Sequence, residues 1–161
     1  MYDRNMPQAY ESLAEHYAEA SGGNYGHVFK SAEKLAKMFS IKCRLGVTIR
    51  NAYKENNHDI LKESLNRLCD LVTALKEFAS AYAEMWLHDG MPYGLEVCQT
   101  FIGGQILRAE YVRSVINAYL EKGQPIRELE WETVLPDLPA CSTADSCWNS
   151  DWRQLISNFG F

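Results

Sequence analysis

Four long stretches of the chain repeat apolar side chains every three to four residues, which is the spacing of an amphipathic α-helix. They cover residues 7–20, 25–54, 60–88 and 103–122. Short polar turns follow the first two stretches, with Ser21-Gly22-Gly23 as the first of them. Since short turns between long helices favour antiparallel neighbours, the pattern predicts an all-α, up-and-down bundle of four main helices.

The pattern changes after the fourth stretch. Pro125 is expected to open a short fifth helix over residues 126–134, and the chain beyond Pro136 is expected to be irregular. We therefore predict a helical bundle domain over 1–135 and an aromatic-containing tail over 136–161. The tail is rich in large apolar residues, namely Trp148, Trp152, Leu155, Ile156, Phe159 and Phe161. Such residues indicate a strap packed across the bundle, or a segment that docks on a neighbour or on sugar rings.

The connection between the third and fourth stretches is unusual. Residues 91–104 are expected to form a long, apolar, glycine-rich loop, whereas a plain turn between helices needs only a few polar residues. Ordered loops on a rigid scaffold often carry recognition. Tyr93 and Glu96 are the best candidates for an outside contact. The alternative is that Tyr93, Leu95 and Val97 close the end of the bundle.

Composition narrows the class of protein. The chain has 161 residues, 47% of them hydrophobic and 23% charged, which is typical of one globular domain. A net charge of −5 argues against a general nucleic-acid binder. The sequence shows neither a signal peptide nor the ~18 consecutive apolar residues of a membrane span. Its five cysteines are odd in number and unpatterned, which favours a reduced cytoplasmic protein over a Cys141–Cys147 disulfide.

No catalytic constellation is visible, so no catalytic residue, metal ion or cofactor is predicted. A di-iron bundle needs two Glu-x-x-His matches on helices, and the single match, Glu55 to His58, lies in a turn. Glu84 and His88 could share a proton, but the favoured interpretation is that His88, at the end of the third stretch, interacts favourably with the helix C-terminus. Gly103-Gly104 lacks the lysine of a phosphate loop.

Three lysines, Lys30, Lys34 and Lys37, line one face of the second stretch, with Arg44 further along. Most such rows are solvated helix faces. The less favoured interpretation is a docking surface for an acidic neighbouring domain.

Several segments, in this order, match one family. They are Trp86-Leu87, Met91-Pro92-Tyr93-Gly94-Leu95-Glu96-Val97, Ile102-Gly103-Gly104, Arg108, Tyr119-Leu120 and Ile126-Arg127-Glu128-Leu129, with Lys42-Cys43-Arg44-Leu45-Gly46-Val47 and Ile49-Arg50-Asn51-Ala52-Tyr53-Lys54 upstream. This arrangement, over about residues 10–135, resembles the C-terminal helical domain of bacterial glycoside hydrolase family 20 enzymes, which are exo-β-N-acetylglucosaminidases. Two positions depart from the family pattern: Met91 stands where a lysine is common, and Phe101 where an arginine is common.

The resemblance implies an accessory role. In this family an Asp-Glu pair in an upstream (β/α)₈ barrel acts on the sugar, and the substrate's own acetamido oxygen attacks the anomeric carbon. The chain would brace that barrel and could join two subunits as a homodimer. The expected contact residues are Trp86, Tyr93, Glu96, Phe101, Gly103, Gly104 and Arg108. A stand-alone helical interaction module is the main alternative, and a carbohydrate-binding module using Trp148 and Trp152 is a weaker one.

Overall fold

A computed structural model describes residues 5–130 and contains five helices. They are α1 (Met6–Ala20), α2 (Gly26–Lys54), α3 (His58–Asp89), α4 (Leu95–Lys122) and the single turn α5 (Arg127–Glu130). Within this range there is no β-strand, and the four long helices pack in a bundle, which confirms the predicted fold class. The predicted tail and the end of the predicted fifth helix lie outside the described residues.

Local signals in the sequence account for most helix ends. Pro7 lies in the first turn of α1, where its missing N–H costs nothing. Asn57 caps α3, because its side-chain oxygen accepts a hydrogen bond from the backbone N–H of Ile60 at 3.2 Å. Gly123 ends α4 with φ at +65°, a left-handed conformation that favours glycine.

The extensive helix contacts join neighbours in sequence: α1 with α2, α2 with α3, and α3 with α4. Aromatic side chains of α1 pack against the first half of α2, where the Tyr10 ring stacks on the Phe39 ring with 5.3 Å between centroids. The main core is built from α2, α3 and α4 together with the segment after α4. Its largest fully buried apolar side chains are Ile49, Leu61, Ile116 and Ile126.

The lysine row of α2 forms ion pairs with glutamates in the same domain. The pairs are Lys30 with Glu84 at 2.7 Å, Lys34 with Glu77 at 2.8 Å, and Lys37 with Glu33 at 2.5 Å. The first two connect α2 to α3. These internal partners favour the solvated-face interpretation over a docking surface for an acidic neighbour.

The start of α4 was predicted wrongly. The helix begins at Leu95 rather than near Gly103, so the connection after α3 is the short segment 90–94 and not a long loop. The reason is that apolar residues occur on both sides of the first turns of α4: Leu95 is buried whereas Val97 and Phe101 are exposed. An apolar run without a clear helical period gives no helix signal.

Candidate interdomain contact surface

The corner between α3 and α4 is built around Trp86. Its indole Nε1 donates a hydrogen bond to the backbone carbonyl of Met91 at 2.8 Å. Gly94 has φ at +92°, and a Cβ atom at this position would lie 3.3 Å from Cζ2 of the Trp86 ring. The half-buried Trp86 side chain therefore shapes the turn, and Gly94 satisfies both the backbone conformation and the limited space.

Glu96 stabilises the start of α4. Its Oε2 accepts a hydrogen bond from the backbone N–H of Gly94 at 2.9 Å, and a negative charge in the first turn suits the helix dipole. Beside it, Leu95 is buried, whereas Tyr93 is 83% exposed and Val97 is 52% exposed. Of the three residues expected to close the bundle end, only Leu95 is buried.

One side of α4 is apolar and exposed. Its residues follow a helical spacing of four, three, three and four: Val97, Phe101, Gly104, Leu107 and Tyr111. We call this set the exposed α4 face. Phe101 is 67% and Leu107 69% exposed, so the described residues leave both side chains largely in solvent. Contiguous exposed apolar surface is typical of interaction sites.

Gly103 and Gly104 lie inside this helix and not in a loop. Each costs about 1 kcal/mol of helix stability relative to alanine. A Cβ atom added at either position would meet nothing within 4 Å, so packing within the described residues does not require glycine. Because the two glycines carry no side chain, the helix surface next to Phe101 and Leu107 is flat. A neighbouring backbone could approach this surface closely.

Arg108 has partners within the domain. Its guanidinium lies 5.3 Å from the centre of the Tyr111 ring and 4.0 Å from the Glu128 carboxylate. The Tyr111 hydroxyl also donates to Glu128 at 2.9 Å, and this hydrogen bond raises the pKa of Tyr111. Arg108 thus contributes to the junction between α4 and α5, and it remains a candidate for an outside contact.

Lys42, which was not among the expected contact residues, lies beside this surface. The Lys42 ammonium on α2 donates a hydrogen bond to the side-chain oxygen of Gln105 on α4 at 2.6 Å. Although Lys42 as a whole is exposed, partial burial of its ammonium lowers its pKa. Sixty-three residues separate the two partners, so no local sequence pattern could have indicated the pair.

The other side chains considered for chemistry are engaged in helix packing. The His88 ring stacks on His27 at 3.8 Å between centroids, and Glu84 pairs with Lys30. Among residues 5–130, no group of three or more His, Cys, Asp or Glu side chains could hold a metal ion. None of the helices in that range is long and apolar enough to cross a membrane.

Residues 5–130 form an all-α bundle whose most distinctive surface feature is the exposed α4 face. The chain belongs to the family described as the Glycoside Hydrolase 20C C-terminal domain, whose model matches residues 1–148. The match confirms the resemblance drawn from the sequence and extends past residue 135 into the segment that was predicted to be a tail. A search of curated proteins found no match.

Proposed function

We propose that this chain is the C-terminal accessory domain of a glycoside hydrolase family 20 enzyme resembling β-N-acetylhexosaminidases. The parent enzyme would remove terminal N-acetylglucosamine by substrate-assisted hydrolysis. Membership of the family carries this proposal. The exposed α4 face supports it, because an accessory domain needs a surface for the domain that it braces.

The catalytic residues would lie in a (β/α)₈ barrel upstream in the parent chain. Barrel enzymes place their catalytic groups at the carboxyl ends of eight strands, and residues 5–130 contain no strand. The role of this chain would therefore be structural: it would brace the barrel and could join two subunits. The parent enzyme would work in the cytoplasm, where cysteines stay reduced.

The second candidate is a stand-alone helical interaction module, which the exposed α4 face favours equally. The carbohydrate-binding alternative depends on Trp148 and Trp152, which lie outside the described residues.

The coding sequence upstream of Met1 separates the two candidates. A run of alternating strands and helices, with an Asp-Glu pair after one strand, would support the enzyme. A second test uses the purified 161-residue chain with a chromogenic N-acetylglucosaminide. We expect no hydrolysis by the chain alone, and catalysis by it would refute the accessory role.

A substitution on α4 tests the contact directly. Gly104→Leu fills an exposed position that has no neighbour within 4 Å, so the isolated chain should keep its helix content. In the parent enzyme the same change should weaken the association between domains, because the approaching backbone would meet a side chain. Thr73→Leu, at an exposed position beside a hollow between α2 and α3, is the matched control. Equal behaviour of the two variants in the parent enzyme would contradict a contact role for the glycine pair.

A further inference from the structure

Lys42 differs from the three lysines that precede it on α2. Lys30, Lys34 and Lys37 each donate to a glutamate carboxylate. Among the described residues, the hydrogen-bond partner of the Lys42 ammonium is the neutral amide of Gln105. Its pKa is lowered by burial, with no acidic neighbour that raises it. Lys42 is thus an exposed cation that forms no ion pair among residues 5–130, so its charge is available to a negative group on a partner.

The position of Gln105 places this cation at the edge of the exposed α4 face. Gln105 follows Phe101 by four residues and precedes Arg108 by three, so it lies one helical turn from each. Because Lys42 bonds to Gln105 at 2.6 Å, its ammonium lies on the α2 side of the same surface. The surface therefore combines an apolar centre with a positive charge at one edge, as protein interfaces commonly do.

The exposed α4 face and Lys42 form, we propose, a docking surface for the neighbouring catalytic domain, which presents an apolar patch with an aspartate or glutamate carboxylate opposite the Lys42 ammonium. This inference rests on the proposed function and adds the chemistry of the partner. Charge complementarity selects the carboxylate, since a cation whose protein partner is only an amide gains most from a negative group. A covalently linked domain also occupies such a surface readily, because the linkage gives it a high effective concentration.

The experiment compares the same substitutions in two contexts, the 161-residue chain alone and the parent enzyme. Thermal unfolding of the helical domain is followed by calorimetry in each. In the isolated chain, Lys42→Gln should shift the melting temperature little, because it removes only the bond to Gln105. In the parent enzyme the shift should be larger by about 2–4 °C, since an interdomain ion pair is lost as well. Lys42→Arg keeps the positive charge, so its shift in the parent enzyme should be close to its shift in the isolated chain.

Two further variants separate the contribution of the Lys42 charge from that of the apolar contact. Lys30→Gln, on the same helix but paired with Glu84, is the matched control and should have the same effect in both contexts. Phe101→Ser removes an exposed apolar side chain, so it should destabilise the helical domain only in the parent enzyme. Raising the salt concentration from about 50 mM to about 500 mM should reduce the Lys42→Gln effect and leave the Phe101→Ser effect largely unchanged.

Each result decides between the two proposals. A context-dependent effect of Phe101→Ser without one for Lys42→Gln would overturn the carboxylate and leave the accessory role standing. Independent melting of the domains, unaffected by either variant, would overturn both. If the isolated chain sediments as a dimer that Phe101→Ser dissociates, a second copy occupies the face and the inference is wrong. It is equally wrong if Phe101→Ser destabilises the isolated chain as much as the parent enzyme and deletion of residues 131–161 removes that effect, because the occupant would then be that segment.

Discussion

Gly94→Ala tests how the corner between α3 and α4 is held. Gly94 adopts φ of +92°, and its missing Cβ atom would lie 3.3 Å from Cζ2 of Trp86. The substitution therefore imposes two penalties: a left-handed backbone on an L-residue, and crowding against a ring that is itself fixed by its hydrogen bond to the Met91 carbonyl. Both act on the turn that sets the direction of α4.

The magnitude follows from the two penalties. A left-handed conformation costs an alanine about 1–2 kcal/mol relative to a right-handed one. The contact with Trp86 adds to this cost, while the lower entropy of the unfolded alanine chain offsets about 0.4–1 kcal/mol. We expect Gly94→Ala to lower the free energy of unfolding by about 1–2 kcal/mol, and the melting temperature by about 2–4 °C for each kcal/mol.

Two other glycines provide matched controls. Gly123 has φ of +65° but open space around its missing Cβ atom, so Gly123→Ala carries the backbone penalty alone and should cost less than Gly94→Ala. Gly104 is helical and also in open space, so Gly104→Ala should stabilise the isolated chain by about 1 kcal/mol.

Urea unfolding, followed by tryptophan fluorescence and circular dichroism, measures all three variants. The expected order of stability is Gly104→Ala above the unsubstituted chain, then Gly123→Ala, then Gly94→Ala. A Gly94→Ala protein as stable as the unsubstituted chain would refute the role assigned to Trp86 and to the positive φ.

Three further substitutions test the core, a helix cap and an ion pair. Leu61→Ala should lower the free energy of unfolding by about 2–5 kcal/mol in urea titrations, because Leu61 is fully buried; a loss below about 1 kcal/mol would contradict its place in the core. Asn57→Ala removes the hydrogen bond from the Ile60 N–H and should lower the free energy of unfolding by about 1 kcal/mol. Asn57→Asp keeps an acceptor at the cap and should retain most of the stability. The hydrogen bond and charge of Lys34 lower the pKa of Glu77, so this pair stabilises the fold above the usual glutamate pKa and loses its effect as the pH falls through the lowered value. Glu77→Gln should therefore lower the free energy of unfolding by less than about 1 kcal/mol at neutral pH, because both side chains are partly exposed. In strong acid the substitution should have no effect. A destabilisation that grows on acidification would contradict this assignment.

Sequence reasoning identified the fold because long helices carry their signal locally. Helical periodicity acts within a few residues, so α1, α2 and α3 begin and end within about two residues of the predicted positions. The family was also readable from ordered sequence segments. The start of α4 was not, since its first turns are apolar on two sides and only burial distinguishes Leu95 from Val97.

The residues of the candidate surface also divide into those that the sequence indicated and those whose role only the packed structure reveals. Tyr93 and the glycine pair were named because they lie in the apolar, glycine-rich segment after α3, and Phe101 through the family resemblance; the structure places Phe101 and both glycines in α4. Trp86 and Glu96 were also named as outside contacts, which stays a prediction; within the domain, both form hydrogen bonds that hold the corner between α3 and α4.

The sequence by itself determined the all-α class, the order of the four long helices and the family, because each signal is carried by residues close together in the chain. Only the tertiary structure decided which apolar side chains of α4 are buried and which stay exposed, because that depends on where α3 packs. It also brought Lys42 to Gln105, Lys30 to Glu84 and Lys34 to Glu77, since contacts between distant residues exist only once the helices are packed.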